Sequence, residues 1–253
     1  MTRPALTVIA VVAVLTLASS AHAQPAASPR VSVEVEGGPL WLSRNDARIP
    51  PDTGTGFSLL DLTGRGPDPF VRVSATFQVA ERHGIRLLVA PIQTRGTGVF
   101  DRPVFFVDRV FVPDAPVEGL FKFNTYRLTY RYTLHQSDAW RVQVGAALLT
   151  RDAKIELRQG DRVARDTDIG FVPLGYFSLT RRLTDRTSLV FDIEGLGARQ
   201  GRALDGTLRM DVRLSDRWSL GAGYRALEGG ADVSSVYSFA WLHYGVMSAG
   251  VRF

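Results

Sequence analysis

The sequence predicts an all-β chain, a ten-stranded antiparallel up-and-down β-barrel, with eight strands as the smaller alternative. Three observations predict it. Apolar and polar residues alternate with period two in stretches of roughly 10–16 residues, while helical periodicity is scarce. Clusters of turn-forming residues separate these stretches. The connections also alternate, a short one following a long one along the chain.

Residues 1–23 read as an address rather than as part of the barrel. Arg3 supplies a positive start, Ala5 to Ala18 is an apolar run of 14 residues, and Ala21-His22-Ala23 is an A-x-A cleavage site before Gln24. As a helix that run would reach only about 21 Å, short of the roughly 30 Å of a hydrocarbon core, so it reads as a signal peptide and not as an anchor. Residues 24–30 are then an N-terminal tail and 31–253 the barrel.

The expected strands are 31–43, 68–80, 85–95, 120–134, 139–157, 168–182, 187–197, 205–214, 218–228 and 235–253. The fourth is the clearest. Tyr126, Leu128, Tyr130, Tyr132 and Leu134 alternate with Thr125, Arg127, Thr129, Arg131 and Thr133, so one face is apolar or aromatic and the other carries two arginines. In the seventh, Leu189, Phe191 and Ile193 oppose Ser188, Val190 and Asp192, and Glu194 continues the polar face. In the eighth, Leu208, Met210, Val212 and Leu214 oppose Thr207, Arg209, Asp211 and Arg213. Short turns fall at 81–84, 136–138, 184–186 and 215–217; longer connections fall at 44–67, 96–119, 158–167, 198–204 and 229–234. The turn flanks 181–189 (RRLTDRTSL) and 213–220 (RLSDRWSL) repeat one hairpin motif.

Composition excludes several classes. The absence of cysteine removes disulfide scaffolds, cysteine-bound zinc and thiol nucleophiles. The 30 basic residues, all arginine except Lys122 and Lys154, interleave with 25 acids for a formal charge of +5, a pattern that does not point to nucleic acid.

The chain ends Met247-Ser248-Ala249-Gly250-Val251-Arg252-Phe253. A terminal phenylalanine on an alternating last strand resembles the C-terminal signature of bacterial single-chain outer-membrane β-barrel proteins. The resemblance covers the mature chain in pattern and has motif-level specificity only in the last strand. It implies a transmembrane barrel in a Gram-negative outer membrane, partnered by outer-membrane lipid. It also implies periplasmic chaperones and a barrel-assembly machinery that reads Phe253 as its signal. Trp140 and Trp218 would then belong to the inner aromatic girdle, and Trp41, Tyr126, Phe171, Tyr237 and Phe239 to the outer one. A secreted soluble barrel would reverse the faces and leave Arg127, Arg131, Arg209 and Arg213 in water. The aromatic strand ends, the strand lengths and Phe253 favour the membrane.

With apolar faces outward, Glu34, Glu36, Arg72, Arg127, Arg131, Asp192, Glu194, Arg209, Asp211 and Arg213 point inward, as do Arg141 and Arg225. Adjacent-strand pairing is expected to set Glu34 and Glu36 between Arg72 and Arg252, and Asp192 and Glu194 against Arg209 and Arg213. Both signs are present and a ten-stranded lumen is narrow, so an ion-paired filling is favoured over an arginine-lined anion pathway. The search for chemistry is otherwise thin. Asp166-Thr167-Asp168 is similar to half of the omptin-protease machinery, but no histidine stands at the matching place. His135-Gln136-Ser137 is similar to the His-x-Ser of outer-membrane lipid A deacylases but falls at a short turn, and His243 turns outward with Trp241. No metal site or cofactor is expected and no catalytic site is evident. Segment 96–119 reads as a small hairpin whose Val104–Val107 and Val110–Val112 cap the barrel. The expected role is structural or surface-interacting; the alternatives are a narrow anion or small-solute channel and a lipid-modifying enzyme.

Overall fold

The computed structural model describes residues 30–199 and 201–253; the expected signal at 1–23 and residues 24–29 lie outside them. Ten spans form one closed antiparallel barrel. In order around it they are β1 (Val31–Arg48), β3 (Asp68–Ala80), β4 (His83–Ala90), β8 (Pro116–Gln136), β9 (Trp140–Gln159), β10 (Arg162–Arg182), β11 (Thr187–Ala198), β12 (Gly201–Arg213), β13 (Trp218–Val233) and β14 (Val236–Arg252). β14 closes the sheet on β1, from Ser32 opposite Arg252 to Arg48 opposite Tyr237. Closure leaves no open edge, which is what a sheet in hydrocarbon requires.

The smaller elements fill one end. β2 (Phe57–Ser58) pairs with β1, α1 (Leu60–Thr63) follows it, β5 (Gln93–Val99) extends the line of β4 along β8, and β6 (Val104–Phe106) pairs with β7 (Arg109–Phe111) as a separate hairpin. The expected third strand 85–95 is thus interrupted. Pro91 stands between β4 and β5, and proline cannot donate to a ladder.

The lengths of the connections at this end differ from expectation. Segments 158–167, 198–204 and 229–234 are mostly strand: β9 and β10 run on to meet at Gly160 and Asp161, with Gly160 at φ +58°. A positive φ at a two-residue hairpin turn suits glycine. Charges such as Arg158, Arg162 and Arg165 resemble loop composition, but a strand that projects into water tolerates polar residues on both faces.

The two faces differ as the period-two pattern requires. Leu128, Leu148, Leu208, Met210 and Leu220 are about half exposed and Met247 more so, while Thr125, Arg127, Thr129, Thr207 and Arg225 are buried inside. On β1 and β3 the outward positions are Val31, Val33, Val35, Val71, Val73, Ala75 and Phe77. Trp140 and Trp218 are exposed at the short-turn end; Trp41, Tyr126 and Phe171 are exposed nearer the other. Tyr237 and Phe239 carry the Arg48 guanidinium and those of Arg44 and Arg202, respectively, 5.2–5.3 Å above their rings.

Inside, the loop end is apolar. Leu40, Leu42, Phe70, Leu242 and Tyr244 from the wall meet Leu59, Leu62, Phe106 and Phe111 from the inserted elements, all below 10% exposed. The β6–β7 hairpin therefore caps the barrel. Gly96 and Gly98 make the seat for α1: a Cβ there would lie 2.3 and 2.1 Å from the carbonyl oxygens of Leu62 and Asp61.

The outward face sets the first prediction. Leu128→Arg or Met210→Arg should cost about 2–4 kcal/mol near the bilayer midplane, whereas Asp161→Arg on the outer turn should be close to neutral. Refolding titrations into lipid bilayers measure this; a silent Leu128→Arg would mean that the faces are reversed.

Candidate functional site

Beneath the apolar core lies a layer of ion pairs built from inward positions of seven spans. Asp205 on β12 receives Arg225 Nη1 at 2.6 Å, Arg72 Nη2 at 2.9 Å and Arg127 Nη1 at 3.1 Å, with its side chain 3% exposed. Glu36 on β1 is held by Arg225 at 2.9 Å, Arg209 at 2.8 Å and Arg72 at 3.3 Å. Glu194 on β11 accepts from Arg86 at 2.9 Å, from the Thr129 hydroxyl at 2.6 Å and from Arg127. Asp192 accepts from Arg86 and from the Tyr176 hydroxyl at 3.0 Å. Arg209 also binds Glu34 and Asp211. Each guanidinium bridges at least two carboxylates, so each buried charge is surrounded by its opposite, the condition on which such burial is tolerable.

Of the residues expected in the lumen, Glu34, Glu36, Arg72, Arg127, Asp192, Glu194, Arg209 and Asp211 come together in this layer. Arg131 and Arg213 do not. Arg131 donates to Gln143 Oε1 at 2.7 Å and lies over the Tyr176 ring; Arg213 donates to the Asp185 carbonyl at the short turn. The expected partnering also changes. Glu36 does lie opposite Arg72, but Arg252 lies opposite Ser32, below both glutamates. Asp192 and Glu194 lie opposite Thr207 and Asp205, and their arginines come from β4 and β8 across the lumen. The lumen is narrow enough for an arginine to span it, so partners are chosen across the barrel rather than along the sheet.

Arg86 and Asp205 were missing from the expected set, and Arg225 was placed inward without a partner. Arg86 had a usable signal: it is the only charge between His83 and Ala90, in step with Gly84 and Leu88 and out of step with Ile85, Leu87 and Val89. Asp205 sits in step with Thr207 and Arg209 but falls at an expected strand end.

The other candidates resolve as follows. Asp168 is ion-paired to Arg151 near the loop end, and among the described residues no histidine bonds to it. His83 contacts the Tyr130 hydroxyl at 2.7 Å. His243 faces outward as its parity requires, and Nε2 lies 2.8 Å from Ser43 Oγ while Nδ1 contacts the Tyr224 hydroxyl. Ser43 stands at a β-bulge between Leu42 and Arg44, which turns the residues after it to the opposite parity. Trp241 stacks on His243 at 5.9 Å.

Comparison with known proteins bears on the fold alone. No protein-family model matches the chain, and no curated protein matches it by sequence. Among solved structures it is similar to the outer-membrane protease OmpT of Escherichia coli at a TM-score of 0.56 and 8% identity, covering 91% of this chain and 99% of that one. Two further similar structures are Ail, the attachment invasion locus protein of Yersinia pestis (TM-score 0.40, 11% identity, 90% and 100% covered), and the Neisserial surface protein A (TM-score 0.38, 12% identity, 88% and 97% covered). The fold is that of a bacterial outer-membrane β-barrel.

The layer predicts an unequal response to charge removal. Glu194→Ala leaves Arg86 and Arg127 each short of a buried partner and should cost about 3–5 kcal/mol in chemical unfolding. Asp168→Ala, which breaks a half-exposed pair, should cost at most about 1 kcal/mol. Equal costs would show that the lumen layer is solvated like the rim.

Proposed function

We propose that this chain is an integral protein of the bacterial outer membrane, closed to conduction, with a structural or surface-interaction role. The signal at 1–23 exports it, and the assembly machinery engages the last strand with Phe253, which follows β14 with an exposed ring and a backbone hydrogen bond to Val31. The observation that carries the reading is the pairing of an uncharged outward belt with a doubly filled interior. Ion pairs occupy the middle of the lumen and an apolar core built from α1 and the β6–β7 hairpin occupies the loop end. A solute pathway would have to cross both. Cell fractionation should recover the mature chain in the outer membrane as a heat-modifiable species, and planar bilayers should record no stable single-channel steps. Steady anion-selective steps in the wild type would overturn the closed reading in favour of a narrow anion channel.

One observation favours a second reading, a lipid-modifying enzyme. Ser43, His243 and Tyr224 form a hydrogen-bonded line on the outward face, beside Trp41 and Trp241. His243 Nε2 is placed to take the Ser43 hydroxyl proton as Oγ attacks an acyl ester and to return it to the alcohol that departs as the ester bond breaks, water then hydrolysing the acyl-serine to free fatty acid, while Tyr224 orients the ring. The Arg65 guanidinium, bonded to the Ser43 carbonyl at 3.1 Å, offers a contact for an anionic headgroup. Incubation in mixed micelles with an acyl-ester outer-membrane lipid tests it. Fatty-acid release that falls at least a hundredfold in Ser43→Ala supports the reading, and no release by the wild type removes it.

A further inference from the structure

Below the ionic layer, at the end of the barrel that carries both chain ends and the short turns, the lumen opens into a cavity of about 990 Å³. We propose that this cavity is a binding site for a small, multiply charged oxyanion, phosphate- or carboxylate-bearing.

The argument is one of charge placement. In the ionic layer five arginines (Arg72, Arg86, Arg127, Arg209, Arg225) meet six carboxylates (Glu34, Glu36, Asp192, Glu194, Asp205, Asp211). That layer is balanced to within one charge. The cavity below is not. Arg30, Arg131, Arg141, Arg182, Arg186, Arg213 and Arg252 line it, and among the described residues none of the seven makes an ion pair. They come from β8, β9, β10, β12, β14, the turn before β11 and the residue before β1, so they ring the mouth rather than crowd one side. The cavity's carboxylates outside the paired layer are three, Glu81, Asp138 and Asp185, exposed on the short turns as all the unpaired arginines but Arg131 are exposed at the mouth, so the imbalance is one of number, seven bases against three acids.

A ring of like charges is costly to keep. Seven guanidiniums around one mouth repel each other, and the low-dielectric wall of the barrel focuses their field into the opening instead of dispersing it. Residues that lower stability in this way are characteristic of binding sites. The remaining lining fits the same ligand. Thr76, Ser178 and Thr180 offer hydroxyl donors, and guanidinium forks match the paired oxygens of phosphate and carboxylate. Arg131 is already aimed, held by Gln143 Oε1 and the Tyr176 ring. The volume falls at the upper end of small-molecule pockets, roughly 300–1,000 Å³.

The inference rests on the closed-barrel reading only in making the cavity blind. Conductance decides that reading and binding decides this one. The test is calorimetric titration of the refolded mature chain, in zwitterionic detergent at low ionic strength, with inorganic pyrophosphate and with citrate. Saturable binding of at least one anion is expected, weakened at least tenfold in Arg141→Gln/Arg252→Gln and again in the independent variant Arg182→Gln. Preference for pyrophosphate or for citrate then assigns the ligand's chemistry. Because the substitutions relieve repulsion, the ligand-free double variant should melt above the wild type, a shift that also certifies its folding. No saturable heat with either anion, unchanged affinity in both variants, or a lowered melting temperature in the double variant would overturn the proposal.

Discussion

The structure depends on one constraint: charge must not face hydrocarbon. Each span alternates its side chains between two faces, so keeping the outward positions apolar sends every charge of the membrane zone inward. A ten-stranded lumen has little room, and charges forced into it meet. Asp205 and Glu36 each lie within ion-pair distance of three arginines because no less crowded position is available to them. The ion-pair layer therefore follows from the outward face.

The interior divides into three zones along the barrel. At the loop end, water is excluded by Leu59, Leu62, Phe106 and Phe111, carried on segments that leave the wall and fold back over it. In the middle, matched charges tie β1, β3, β4, β8, β11, β12 and β13 together across the lumen, resisting any sliding of one strand past another. At the short-turn end the arginines outnumber their acids and the lumen stays open. The proposed closure to conduction rests on the first two zones. The third has no structural necessity, which is why it carries the binding proposal.

The faces of the barrel were legible in the sequence because parity is local. Tyr126, Leu128 and Tyr130 against Arg127 and Thr129 need no knowledge of any other strand. Partnering was not legible, because it is not local. Arg72 and Asp205 are separated by 133 residues, and only closure of the sheet brings them together. Adjacent-strand reasoning assigned Arg209 to Asp192 and Glu194, whereas the guanidinium reaches Glu34 and Glu36 on the other side. The outer strand extensions were hidden for a different reason: beyond the bilayer the period-two pattern relaxes, and charged segments such as 158–167 read as loops. The contact of Ser43 with His243 depends on a bulge that no residue of β1 announces.

The central claim is that the cross-lumen charges act as one unit and not as independent solvated groups. A double-mutant cycle on Asp205 and Arg225, using Asp205→Asn, Arg225→Gln and the pair in bilayer unfolding titrations, tests it most directly. The account predicts a coupling of at least about 1.5 kcal/mol, within the range for residues in direct contact. Additivity to within about 0.3 kcal/mol would contradict it and mean that water, rather than the opposing charge, satisfies these groups.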